Sequence, residues 1–177
     1  FGDSFWLKTF NVSNDLAVGR DIIIDNLGYI YVTGYAYLPG PNSDFVTIKY
    51  DSNGVQQWVK FYGGASILSD YAHEITIDNN NDIIVTGDIR RDPFISDIVT
   101  IKYSSTGNQL WAKTYSGINN NGAIGSRNLL SDDSCNIYFH CAALNENRKI
   151  IKYNPYGDSL LVSNITDSIN SISFCID

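Results

Sequence analysis

DFVTIKYDSNGVQQWVKFY (44–62) is followed by DIVTIKYSSTGNQLWAKTY (97–115) and, worn down, by NRKIIKYNPYGDSLLVSNI (147–165). Lys49, Lys102 and Lys152 mark the centre of each copy, 53 and then 50 residues apart. A fixed period of this length, with strand and turn signals inside each copy, predicts a β-propeller or a similar array.

Working outward, each unit divides into four short segments. The first is apolar and ends in Asp: DIIID (21–25), EITID (74–78) and NLLSD (128–132). A short turn rich in Asn, Gly or Asp leads to GYIYVTG (28–34), NDIIVTG (81–87) and CNIYFHC (135–141). Variable loops follow at 35–43 and 88–96, and then the Lys–Tyr segments FVTIKY (45–50), IVTIKY (98–103) and KIIKY (149–153). After a turn holding Gly54, Gly107 or Gly157 comes WVKFY (58–62), WAKTY (111–115) or LVSNI (161–165). Alternation in the Lys–Tyr segments predicts half-buried strands, whereas uniformly apolar DIIID predicts a strand sandwiched on both faces.

The expected fold is therefore all-β, with blades of four antiparallel strands over 17–62, 70–115 and 125–165 in one partial propeller domain. WLKTF (6–10) reads as a flanking outer strand, within 5–10, and SISFCID (171–177) as the opening strand of a further unit. Three blades do not close a ring, since propellers have about four to eight. Remaining blades, or another chain, are the expected partners that complete it. Isolated, such an arc is expected to be poorly stable, with open strand edges at both ends. The chain starts at Phe1 and contains no Met, which reads as a processed form or a piece of something longer.

Composition narrows the function classes. Hydrophobic residues make up 44% of the 177, with 12 Tyr, 8 Phe and 3 Trp, a β-rich aromatic balance. A net charge of −7 repels phosphate backbones, so no nucleic-acid partner is expected. No apolar run approaches the roughly 18 residues of a spanning helix. Cys135, Cys141 and Cys175 lack metal-site or redox spacing; they read as small buried strand residues, or as one disulfide with a cysteine left over.

The motifs W-x-K-x-Y, A-x-x-I-x-x-D, I-x-V-T-G and D-x-x-T-I-K-Y-x-x-x-G-x-x-x-W resemble the β-propeller repeats called SBBP repeats, in the form common in secreted Bacteroidetes proteins. They are carried by Trp58, Lys60, Tyr62, Ala72, Ile75, Asp78, Val85, Thr86, Gly87, Asp97, Thr100, Ile101, Lys102, Tyr103, Gly107 and Trp111. The third unit departs, with Phe139-His140-Cys141 in place of Val-Thr-Gly and Leu161 in place of Trp. The resemblance implies an extracellular or cell-surface module of a larger protein, often exported by type IX secretion, with no shared catalytic residues and no cofactor.

Each candidate site carries two readings. Lys49, Lys102 and Lys152 could ring the axis and hold an anion; alternatively they serve blade packing, stem on apolar surface and ammonium against Asp44 or Asp97. Trp6, Trp58 and Trp111 could form a binding platform, or an inter-blade core. Asp78-Asn79-Asn80-Asn81-Asp82 is oxygen-rich, but it lacks a closing Glu at EF-hand spacing and reads as an Asx turn, so no metal is expected. His73 and His140 sit in no nucleophile or metal motif, and no catalytic residue is predicted. Tyr35 and Tyr37 on the first variable loop, and Arg90, Arg91 and Phe94 on the second, are the candidate binding residues, being types favoured at contacts. The expected function is a non-enzymatic binding scaffold or secretion cargo; the alternative is part of an extracellular enzyme whose site is completed by other blades.

Overall fold

The computed structural model describes residues 6–10, 16–38, 42–63, 68–117, 122–143 and 148–164. No helix occurs among them, hence none long and apolar enough to cross a membrane. Twelve strands form three four-stranded antiparallel sheets in which sequence order is spatial order. Blade 1 is β1 (Ala17–Ile24), β2 (Ile30–Tyr37), β3 (Ser43–Tyr50) and β4 (Gln56–Tyr62). Blade 2 is β5 (Tyr71–Ile77), β6 (Ile83–Arg90), β7 (Ser96–Tyr103) and β8 (Gln109–Tyr115). Blade 3 is β9 (Ala123–Ser131), β10 (Ile137–Ala143), β11 (Lys149–Tyr153) and β12 (Ser159–Asn164). First strands β1, β5 and β9 lie against one another in turn, so they line the inner side of the arc. This is β-propeller architecture, and the three described sheets do not close.

The core lies between blades. Tyr31 and Phe45 of blade 1 meet Ile75, Ile83, Val85, Val99, Ile101 and Tyr103 of blade 2 in one cluster. Ile84 and Ile98 of blade 2 meet Ile137, Phe139, Ile151 and Tyr153 of blade 3 in the next. Alternate residues of the second and third strands thus serve two different interfaces. That corrects the half-buried reading of the Lys–Tyr strands of blades 1 and 2: in β7 all but the first residue are buried, Lys102 included, because both faces of a middle blade are covered, whereas β11 keeps the alternation between buried and half-buried residues. It also corrects the doubly buried reading of DIIID. Ile22 and Ile24 are 61% and 62% exposed, because no described blade covers the outer face of blade 1.

Three further expectations shift. The variable loops are shorter than read, since β2 runs on to Tyr37 and β6 to Arg90. Residues 6–10 join no described ladder, although Phe10 packs against the exposed-side cluster of blade 1, and the expected strand at 171–177 lies outside the described residues. Cys135 is buried at a turn with φ +59° rather than in a strand, while Cys141 fills a buried strand position, and Cys175 lies outside the described residues.

Candidate functional site

The repeated residues form one recurring joint. Indole N–H groups of Trp6, Trp58 and Trp111 donate to the carbonyls of Ser52, Ser105 and Pro155 at 3.1, 3.2 and 3.0 Å. For Trp58 and Trp111 the acceptor is the third-to-fourth-strand turn of the following blade. Each indole, with the stem of Lys8, Lys60 or Lys113, lies on the glycine of that turn. At Gly107, φ is +84°, a conformation that favours glycine, and a Cβ would crowd the Trp58 ring at 3.1 Å and push aside Lys60 Cε at 2.9 Å. Trp58 and Trp111 are half-buried, and Trp6 is 38% exposed.

The repeat lysines work at the same joint. Lys49 Nζ donates to Ser105 O at 3.0 Å and Lys102 Nζ reaches Pro155 O at 3.5 Å. Their acidic partner is not Asp44 or Asp97, as the sequence suggested. Lys102 pairs with Asp78 at 2.6 Å and Asp82 at 3.2 Å, while Asp97 is taken by Arg91 at 2.9 Å. Register explains the difference, because Lys102 sits opposite Ile84 next to the turn that Asp78 opens. In blades 1 and 3 the residue opposite the lysine is Tyr31 or Tyr138, whose hydroxyl donates to the turn Asp25 or Asp132. Lys49 then rests 3.9 Å over the Tyr29 ring and Lys152 4.9 Å over Tyr138. Where isoleucine supplies no hydroxyl, the ammonium replaces it. Burial opposes the charge on Lys102, but the two carboxylates outweigh it and its pKa rises.

The oxygen-rich stretch after Asp78 closes its own turn. Asp78 Oδ1 accepts the N–H groups of Asn80 and Asp82 at 2.9 and 3.0 Å, and Asp132 Oδ1 does the same for Ser134 and Asn136. Among the described residues no three His, Cys, Asp or Glu side chains converge as metal ligands.

Sequence reasoning missed the inner strands. Asp21 Oδ2 accepts the N–H of Ile75 at 2.9 Å, and Glu74 Oε2 accepts that of Leu129 at 2.7 Å, each reaching into the next blade. Beside them, Arg20 and His73 fall at irregularities in pairing, where one inner strand holds an extra residue. His73 Nε2 lies 3.1 Å from Asp88 Oδ2, and Asp88 Oδ1 accepts the N–H of Gly125 at 3.0 Å. Burial raises the pKa of Glu74 above its ordinary 4.5 against the opposing pull of the Leu129 N–H. A signal was present: aligned on Asp25, Asp78 and Asp132, the pairs Arg20-Asp21, His73-Glu74 and Arg127-Asn128 recur inside otherwise apolar segments.

The predicted binding residues separate into two groups. Tyr35, Tyr37 and Arg90 come together at the seam between blades 1 and 2. Tyr35 meets Tyr71 edge-on at 4.9 Å and Tyr37 at 6.4 Å; Arg20 covers Tyr35 at 5.3 Å and Arg90 covers Tyr71 at 5.8 Å. Arg91 turns instead to Asp97, and Phe94 stands 89% exposed on the loop between β6 and β7.

His140 replaces the repeat threonine, Thr33 or Thr86, and is buried. Burial, reinforced by Arg148 and Arg127, lowers its pKa from the ordinary 6.5. Such a group contributes stability that is full above pH 6.5 and is lost as pH falls through its lower folded pKa, because the unfolded chain takes up the proton first. His140→Thr is therefore expected to lose less of its melting temperature than the parent between pH 7 and pH 5. Glu74 acts with the opposite sign but is common to both proteins, so the difference between the curves isolates His140. Parallel curves would refute this.

The β-propeller repeat family called SBBP matches residues 6–37. A solved structure of a GH43 glycoside hydrolase, engineered to display both endo-xylanase and exo-arabinofuranosidase activity, aligns with 85% of this chain at a TM-score of 0.44 and 13% identity. The chain spans 30% of the length of that structure. No curated protein matches.

Proposed function

We propose that this chain is a non-enzymatic β-propeller scaffold, secreted or at the cell surface, which forms part of a larger protein and mediates binding or travels as secretion cargo. One observation carries this reading: the inner-strand carboxylates Asp21 and Glu74, and Asp88 of β6 beside them, where a propeller would place acid–base chemistry, each hold the next blade. Asp21, Glu74 and Asp88 all accept a backbone N–H across a seam. A carboxylate that loses this bond leaves a buried donor unsatisfied, so its first duty is structural. Exposed Ile22 and Ile24 on blade 1 support further blades, from the same protein or another chain, completing the ring. The resemblance to secreted Bacteroidetes repeats supports export by type IX secretion.

A second reading is favoured by one cluster. His73 paired with Asp88 beside a protonation-prone Glu74 has the chemistry of an acid–base site. It would make the chain part of an extracellular enzyme whose site other blades complete. The whole protein carrying these blades, assayed on chromogenic glycosides and esters, separates the two. The scaffold reading expects no turnover. Turnover abolished by Glu74→Gln, in a variant that keeps its melting temperature, would overturn it.

A further inference from the structure

Blade 2 departs from the repeat twice at one place. Six residues after the turn Asp, Tyr31 and Tyr138 give way to Ile84, and four residues after it, Tyr29 and Asn136 give way to Asp82. In blades 1 and 3 the tyrosine hydroxyl occupies the second oxygen of Asp25 or Asp132, and the repeat lysine rests on a tyrosine ring. In blade 2 no hydroxyl intervenes. Lys102 Nζ lies 2.6 Å from Asp78 Oδ2, within one further bond length of Cγ, and 3.2 Å from Asp82 Oδ2. The side chains of Lys102 and Asp78 are 3% and 0% exposed, so the contact is dry. Among the described residues, buried Asp78 Oδ2 meets no hydrogen-bond donor other than this ammonium. The other oxygen, Oδ1, is held by the N–H groups of Asn80 and Asp82 at 2.9 and 3.0 Å.

We propose that Lys102 and Asp78 condense into an isopeptide bond with Asp82 as their proton carrier, a self-modification of blade 2 that holds whether the blades are scaffold or part of an enzyme. The ion pair already contains every atom of the product. Lys102 Nζ passes one proton to Asp78 Oδ2, giving an amine and a carboxylic acid, a step that burial favours because both charges vanish together. The amine attacks Cγ and the C–N bond forms. Negative charge gathers on Oδ1, where the two turn N–H groups already point. Asp82 takes a second proton from Nζ and gives it to Oδ2; the Cγ–Oδ2 bond breaks and water leaves. Of the three ammonium protons, one stays on the amide and two depart with the water, and Asp82 ends as it began. Burial raises the pKa of Asp82 above its ordinary 3.8 against the pull of Lys102, which suits a group that must both take and give a proton. Its side chain is 18% exposed where the other two are sealed, so the water leaves past it. Contact held by the fold makes the step intramolecular, which supplies the advantage that free lysine and aspartate lack. The bond staples the turn after β5 to β7, across β6.

Intact-mass measurement of the full chain under denaturing conditions tests this, followed by tryptic digestion. The parent is expected to weigh one water less than its sequence and to yield a branched peptide that carries Asp78 and Lys102 together, uncut at Lys102. Lys102→Arg should show its full sequence mass. Asp82→Asn keeps the pair but not the proton carrier. In a time course after cell-free synthesis it should lose its water at least about a hundredfold more slowly than the parent. The parent carries the primary result, so a variant that fails to fold leaves the test decisive. A parent still at full mass after prolonged incubation would overturn the proposal. So would a lost water with Lys102 still cut by trypsin, which marks a succinimide elsewhere. Crosslinking of Asp82→Asn at the parent's pace would overturn the role given to Asp82.

Discussion

Lys102→Ala is expected to destabilise the protein by about 3–5 kcal/mol, the range for removing one partner of a buried ion pair. Lys102 is 2% exposed, and its ammonium is the partner of Asp78 Oδ2, whose other oxygen is already occupied by the turn N–H groups. Alanine leaves that carboxylate buried without a counter-charge and also opens the space filled by the lysine stem. Lys102→Met restores the stem but not the charge, so it should recover only part of the loss. Lys49→Ala is the internal control. Its ammonium lies on tyrosine rings, and the turn Asp25 already has the Tyr31 hydroxyl, so the loss should be smaller. Denaturant melts of the three variants decide it, and equal losses at Lys49 and Lys102 would contradict the pairing described.

Trp58→Ala is expected to cost about 3 kcal/mol or more. The ring packs on Tyr31 of its own blade at 5.9 Å and on Tyr103 of the next at 6.4 Å. Its N–H is bonded to Ser105 O, and its face covers Gly107. One truncation therefore empties an inter-blade contact and removes a cross-blade hydrogen bond. Trp58→Phe keeps the aromatic body but not the donor, and should fall between. The matching loss at Trp6→Ala should be smaller, because Trp6 is more exposed. Equal melting of Trp58→Ala and the parent would remove this joint from the account.

The blade was readable because its markers are local. Turn Asp and positive-φ glycine sit at fixed offsets in every copy, and the Trp–Lys pair does so in the first two. Partnership across blades was not readable in the same way. The lysine's acid is chosen by the strand opposite, where Tyr31 and Tyr138 give way to Ile84, and that choice appears only once the register is known. Exposure of Ile22 and Ile24 was likewise invisible in DIIID, which reads alike whether or not a neighbour covers it. Arg20 and Tyr71 escaped notice because they lie inside apolar strands, far in sequence from Tyr35 and Arg90, and only the blade seam brings the four together. The inner carboxylates were hidden for the same reason. Asp21 and Glu74 announce a charge, but their bonds to Ile75 and Leu129 span a whole repeat.

The central claim is that the repeated side chains join successive blades. A double-mutant cycle between Trp58→Ala in blade 1 and Tyr103→Leu in blade 2 measures that joint directly, using denaturant unfolding of the parent, both single variants and the double. The account predicts a coupling of about 0.5–1.5 kcal/mol, the worth of a packed aromatic pair. Losses that add to within about 0.3 kcal/mol would mean that the two rings do not share an interface, and would contradict it.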